Sequence, residues 1–175
     1  MGKIICLTGL SGSGKSEIAQ AMGKNSKIGV IRLGENVRKK YAFEKFDGTI
    51  EEYAEKYRFS SICEFIKDEI QTMLTTKDIV IIDSLRTIAD YRFLLKMSTN
   101  IKLIMIVADR NKRLKWLKKR KRVGDPTSVF KLMSHDYWEI NYGISNLIGI
   151  VDKFIVNNGR ISDLQREVME FVGKE

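Results

Sequence analysis

The sequence predicts an α/β protein: a five-stranded parallel sheet with helices on both faces. Three observations carry this. Short apolar runs alternate with amphipathic stretches along the whole chain. Two of the runs, 79–82 and 101–108, are nearly continuous in apolar residues, as strands buried on both faces are. The first run, Ile4-Ile5-Cys6-Leu7, leads directly into Gly9-Leu10-Ser11-Gly12-Ser13-Gly14-Lys15-Ser16, which reads G-x-x-x-x-G-K-S.

Residues 3–8 form the first strand and 15–23 a short helix. Residues 27–33 read as the second strand, and from Glu35 the pattern turns helical, with Val37 and Tyr41 on one side and Arg38, Lys39 and Lys40 around it. Asp47-Gly48-Thr49 breaks that helix. Thr49-x-x-Glu52 is a capping box, expected to open one long helix to about Leu74, along which Tyr53, Tyr57, Ile62, Phe65, Ile66, Ile70 and Met73 recur at helical spacing. The third strand spans 78–83, a helix 87–97, the fourth strand 101–108, and a very basic helix 110–122. Gly124-Asp125-Pro126 marks a turn, after which Thr127 or Ser128 caps a helix to about residue 140. Residues 154–156 are the last strand, Asn157-Asn158-Gly159 a loop, and 162–172 a closing amphipathic helix. With neither repeat nor linker, residues 1–175 read as one domain.

At 175 residues, 43% hydrophobic and 30% charged, the chain can bury a real core and is not a disordered one. No apolar run reaches the roughly 18 residues of a membrane span, and the N-terminus runs straight into a strand. The expectation is a cytoplasmic protein without a membrane partner. Cys6 and Cys63 lack metal-like spacing and read as reduced thiols in or near the core, while the lone His135 gives no basis for a histidine metal site. A net charge of +9 suits anionic ligands, nucleotides or nucleic acid.

The glycine-rich stretch is a P-loop in its expected place between strand and helix. It implies the P-loop NTPase fold, with strand order 2-3-1-4-5. Glycines let successive N–H groups converge on phosphate oxygens, and the following helix adds the positive end of its dipole. The donor phosphates are expected on Gly9, Ser11, Gly12, Ser13, Gly14, Lys15, Ser16 and Glu17. Lys15 reaches the β and γ phosphates, and the Ser16 hydroxyl suits Mg²⁺. Asp83, ending a buried strand, falls at the carboxyl edge beside the P-loop, where it can hold the metal directly or through water, or serve as a plain strand-end cap.

Arg86 and Arg38 belong to loops converging on the same edge, where two guanidinium forks could grip an acceptor phosphate; a surface position is the alternative for either. The run 110–122 holds nine basic residues and no acid, and Arg113, Leu117 and Arg120 share one face of it. That face could stabilise charge on a transferring phosphoryl group. Other readings of the run are a solvated helix and a nucleic-acid patch with Trp116 interleaved. Asp136 and Glu139, three apart, are either partners of lid arginines or ordinary exposed carboxylates.

These residues resemble the P-loop nucleoside monophosphate kinases, and among them the archaeal adenylate-kinase-related or dephospho-CoA-kinase-like nucleotide kinases. Gly34-Glu35-Asn36-Val37-Arg38 looks like that family's G-D-x-x-R element, and Ile82-Asp83-Ser84-Leu85-Arg86 like its I-D-G-x-R element. Val156-Asn157-Asn158-Gly159 is similar to the loop that passes the donor adenine. The resemblance implies acceptor roles for Gly34, Arg38, Arg58 and Arg86, donor or transition-state roles for Arg113 and Arg120, adenine contacts at Asn158 and Gly159, an acceptor segment over 34–75 and a short lid over 120–127. Glu35 stands in place of the family's Asp and Ser84 in place of its Gly. The lid region has no cysteines, so no zinc-bearing lid is expected, and no N-K-x-D is present, which argues against a GTPase switch. The expected activity is ATP- and Mg²⁺-dependent transfer to a nucleoside monophosphate, AMP foremost. Dephospho-CoA kinase is the alternative, and a nucleotide-dependent RNA-binding or assembly factor the alternative of another class.

Overall fold

The computed structural model describes residues 2–173. Five strands, β1 (Lys3–Thr8), β2 (Ile28–Arg32), β3 (Ile79–Asp83), β4 (Ile101–Val107) and β5 (Lys153–Val156), form one parallel sheet in the expected order β2-β3-β1-β4-β5. Between and after them run α1 (Lys15–Met22), α2 (Leu33–Glu44), α3 (Ile50–Glu55), α4 (Lys67–Thr76), α5 (Ile88–Met97), α6 (Arg110–Arg120), α7 (Val129–Glu139), the short α8 (Ser145–Leu147) and α9 (Ile161–Val172).

Period-two alternation explains how both faces are buried. Ile4 and Cys6 of β1 pack with Val80, Ile82, Leu103, Ile70, Leu74 and Leu94 in one layer. Ile5 and Leu7 pack with Ile81, Ile104, Ile18, Met22, Leu164 and Val168 in the other. In register, Leu7 lies beside Asp83 of β3 and Ile104 of β4, so the carboxyl ends of the three central strands meet at one edge. The P-loop leaves from that edge.

Local signals set most boundaries. Thr49 Oγ1 accepts the Glu52 N–H at 3.2 Å while Glu52 accepts the Thr49 N–H at 2.7 Å, the reciprocal capping box. Thr87 caps α5, Asp109 caps α6 through the N–H groups of Asn111 and Lys112, and Ser128 rather than Thr127 caps α7.

Three expectations are corrected. The capping-box helix ends at Glu55 instead of running to Leu74; Ile62–Ile66 is a 3₁₀ turn and α4 starts afresh at Lys67. Ser60 and Ser61 are poor helix formers, and the Ser61 hydroxyl and Cys63 N–H both donate to the buried Asp90 carboxylate, at 2.9 and 3.2 Å. Tertiary bonds therefore replace the helical ones. The second helix begins at Leu33, directly on the end of β2, not at Glu35. The basic helix stops at Arg120, where Lys121 turns left-handed at φ 54.

Past Glu139 the chain enters a π-helical turn, Ile140–Ile144. Gly143 lies so close to the Arg86 carbonyl that a Cβ there would stand 2.6 Å from its oxygen. This contact draws the end of α7 against the segment after β3.

Candidate functional site

The P-loop backbone is left-handed at Gly9 (φ 130), Gly12 (φ 78) and Gly14 (φ 103). Space forbids side chains there as well. A Cβ on Gly9 would stand 2.2 Å from the Ile106 carbonyl oxygen, and one on Gly14 2.3 Å from Asn157 Nδ2. The loop curls around Lys15, whose Nζ donates to the Leu10 carbonyl at 2.9 Å and lies 3.4 Å from Ser13 Oγ. Burial lowers the Lys15 ammonium to about pKa 8, aided by Arg86; Glu139, Asp83 and Glu17 pull the other way.

A cavity of about 890 Å³ opens from this loop. The expected donor residues Ser11, Gly12, Gly14, Lys15, Ser16 and Glu17 line it, as do Asp83, Gly34, Arg38, Arg86 and Arg120. Asp83 is buried at the end of β3 and accepts from Ser84 Oγ at 3.0 Å. Ser84 is left-handed at φ 70, a conformation that costs a non-glycine residue about 1 kcal/mol and suits the glycine of the resembled element. Ser16 and Asp83 offer hard oxygen donors to one space, which fits Mg²⁺. An anion also fits: Arg86 Nε is buried and has no hydrogen-bond partner among the described residues.

The arginines divide. Arg120 grips Asp125 through Nε at 2.9 Å and Nη2 at 2.5 Å, and Asp125 also accepts the Arg122 N–H at 3.1 Å. That carboxylate folds the short segment after α6 over the cavity, bringing Arg122 to its wall. Arg38 has its guanidinium above Gly34, and burial, then Arg122, Arg86 and Arg120, lower its pKa, with Glu35 opposing. Arg113 is nearly buried. Its Nη atoms hold both oxygens of Asp136, at 2.8 and 2.6 Å, and Nη1 donates to the Ser11 carbonyl at 3.1 Å.

Two groups of expected residues lie elsewhere. Arg58 is outside the cavity: it donates to the Asn141 carbonyl, sits 3.7 Å from Glu55 and lies over the Phe59 ring. Its guanidinium ties the turn after α3 to the turn after α7. Asn158 and Gly159 also do not line the cavity. The Asn158 carbonyl accepts from Lys112 Nζ at 3.3 Å, and Gly159 passes beside Trp116. Their neighbour Asn157 is the buried one, donating to the Ser13 carbonyl at 2.8 Å and so bracing the P-loop from β5.

Of the two readings of Asp136 and Glu139, pairing holds, with arginines outside the lid for both. Glu139 is fully buried and accepts the Ser11 N–H at 2.7 Å, the Ser11 hydroxyl at 2.8 Å and the Arg86 guanidinium. Burial alone would raise its carboxyl, but Arg86, Lys15 and His135 outweigh that and hold it at about pKa 2. His135, Asp136 and Glu139 cluster within 4.8 Å, yet both carboxylates already hold guanidinium groups, so no metal is assigned there. Arg122, Asn157 and Trp138, which lines the cavity and stacks on Tyr142 at 5.1 Å, were not singled out for the site by the sequence; their roles depend on tertiary neighbours.

The family profile described as "Chromatin associated protein KTI12" matches residues 3–144. A UPF0200 protein of Thermococcus sibiricus is 26% identical over 174 residues, covering 94% of this chain and 91% of the relative. One of Saccharolobus islandicus is 27% identical, covering 96% and 91%. Among solved structures, TT1252 from Thermus thermophilus superposes with TM-score 0.64 at 14% identity, covering 99% of this chain and 97% of that one. A gluconokinase from Sinorhizobium meliloti gives 0.59 at 14% identity, over 99% and 92%. A shikimate kinase from Bacteroides thetaiotaomicron gives 0.62 at 13% identity, over 98% of both chains. At such identities the structures speak for the fold: a P-loop kinase-like one. No helix among the described residues is long and apolar enough to cross a membrane.

Proposed function

The chain belongs to the KTI12 family, and from that premise and the site's geometry we propose that it is a nucleotide-dependent phosphotransferase acting on a phosphate-bearing acceptor, a nucleoside monophosphate such as AMP. One observation carries the reading. Arg38 and Arg122 face the same cavity as Lys15, burial and then the Arg122 charge lower the pKa of Arg38, and neither arginine has an ion pair among the described residues. Two guanidinium groups on one cavity wall, both open to solvent, suit an anion of more than one charge. With the terminal phosphate of a donor assigned to Lys15 and Arg86, these two arginines are left for the phosphate of an acceptor.

In this reading the donor triphosphate lies on Ser11 to Ser16, with Mg²⁺ on Ser16 and Asp83 supplying charge neutralisation. Arg38 and Arg122 orient the acceptor phosphate, and one of its oxygens attacks the terminal phosphorus. The bond to the bridging oxygen breaks, leaving nucleoside diphosphate on both sides. An acceptor phosphate is already anionic, so no general base is required. Glu139 would be a poor base in any case, being held as a carboxylate by Arg86 and Lys15. ADP formation across a panel of nucleoside monophosphates and dephospho-CoA tests the proposal. Turnover with a monophosphate is expected; turnover with dephospho-CoA alone moves the acceptor to a ribose hydroxyl, with Asp83 as its base. No acceptor-dependent turnover would sink the transferase reading.

A second reading rests on α6. Lys112, Lys115, Lys118 and Lys119 are exposed on it, and the family description is of a chromatin associated protein. An anionic polymer would bind there with an affinity falling steeply with salt.

Lys15 also makes binding pH-dependent. A bound phosphate favours the charged ammonium, so the complex raises its pKa above the value of about 8 in the free protein. Above that pH, binding must take up a proton, and triphosphate affinity is expected to fall by up to about tenfold per pH unit. Calorimetry in buffers of different ionisation enthalpy reads the proton uptake directly.

A further inference from the structure

Glu139 holds no substrate in the proposed reaction, yet it is one of the most enclosed polar residues of the chain. Its carboxylate takes the Ser11 N–H at 2.7 Å, the Ser11 hydroxyl at 2.8 Å and the Arg86 guanidinium. These are donors of the sort a phosphate oxygen would use. Among the charges attracting Lys15, Glu139 comes first, ahead of Asp83 and Glu17. A P-loop lysine serves the β and γ phosphates, so an acid coupled to Lys15, to Arg86 and to the third residue of the loop lies at the terminal-phosphate end.

We propose that Glu139 is a resident anion at the terminal-phosphate position, which a nucleoside triphosphate displaces and a diphosphate leaves in place. The inference rests on the reading that the P-loop binds a nucleotide. Two like charges cannot share Ser11 and Arg86. A third phosphate therefore expels the carboxylate and frees Arg86 for the phosphoryl group being transferred. A diphosphate ends short of that point and leaves Arg86 neutralised. Glu139 thus makes the arginine available only when there is something to transfer, which makes it a specificity-determining residue for the donor.

The displacement is transmitted to the whole of α7. Asp136, one turn earlier, holds Arg113, and Arg113 holds the carbonyl of the same Ser11 whose N–H Glu139 holds. Trp138, adjacent to Glu139, lines the cavity and stacks on Tyr142. A shift of Glu139 cannot leave that ring pair untouched.

The test compares Glu139→Gln with the unaltered protein for binding of ADP and of a non-hydrolysable ATP analogue with an imido β–γ bridge. Gln removes the charge and keeps the shape. The analogue is expected to bind about tenfold tighter to the variant, with ADP changing less than about twofold. Equal tightening of both would place the charge elsewhere and overturn the proposal; weakening of both would make Glu139 a mere brace and overturn it too. If the unaltered protein binds neither nucleotide, the nucleotide reading fails and this one falls with it. If it binds both and the ratio is unchanged in the variant, this one alone falls.

A second measurement keeps Glu139 intact. The chain has two tryptophans, so Trp116→Phe leaves Trp138 as the sole reporter. Its emission is expected to change with the imido analogue and to stay constant with ADP. The same response to both ligands would overturn the displacement.

Discussion

Replacement of Lys15 by alanine is expected to lower kcat/KM for phosphoryl transfer by about 10²- to 10³-fold, measured by coupled ADP release. In the proposed reaction the P-loop would offer N–H dipoles to the phosphates, but Lys15 is the buried full positive charge inside it. Its removal leaves negative charge developing on the bridging oxygen without a fixed counter-charge. Stability should move differently. The depressed pKa of Lys15 means that the fold disfavours a buried ammonium, so the ligand-free variant is expected to melt at the same temperature or higher, despite the lost bond to the Leu10 carbonyl. Loss of activity together with loss of fold would contradict this separation.

Arg113→Ala is expected to cost about 3 kcal/mol of stability, a fall of roughly 6–12 °C in Tm for a chain of this size. The cost does not come from the net worth of an ion pair. Asp136 would keep its charge at 14% side-chain exposure with its bidentate partner gone, and the Ser11 carbonyl would lose its donor. The double variant Arg113→Met with Asp136→Leu should recover most of that stability, because two well-packed apolar side chains leave no stranded charge. Activity should not return with it, since Ser11 would still lack the group that fixes its peptide. Recovery of activity along with stability would show that Arg113 only holds the fold.

Much of this architecture could be read directly. Ile79 to Ile82 announce a strand covered on both sides, and G-x-x-x-x-G-K-S fixes a loop and its neighbours, so the five strands follow from residues close together in the chain, while their order came with the fold that the P-loop implies. Lys15, Ser16, Asp83, Arg38 and Arg86 share one cavity as expected. What escaped were relations at long sequence distance. The break near Ser61 depends on Asp90, a carboxylate beyond α4 and β3 that competes with helical hydrogen bonds. Periodicity continued through the break because Ile62, Ile66, Ile70 and Met73 pack on the same core layer.

The same limit applies to the site. Arg113 and Arg120 share a helix face and a residue type, but Asp136 immobilises one against the P-loop while Asp125 ties the other to the cavity's cover. Glu139 is three residues from Asp136 and could not be told from a surface acid until its 128-residue reach to Ser11 was seen. Arg58 went the other way: an arginine in the right segment, turned toward Asn141.

The position of β1 governs how the molecule must assemble. It is the first strand made, yet Ile5 finds its neighbours only in Ile81 on one side and Lys102 on the other. Every ribosome must therefore complete well over half the chain before the P-loop strand can be enclosed. Such long closures raise the entropic barrier and slow folding relative to hairpin-built sheets. A strand whose neighbours on both sides come so much later in the chain is enclosed only once they have formed, and the loop that follows it waits on the same event.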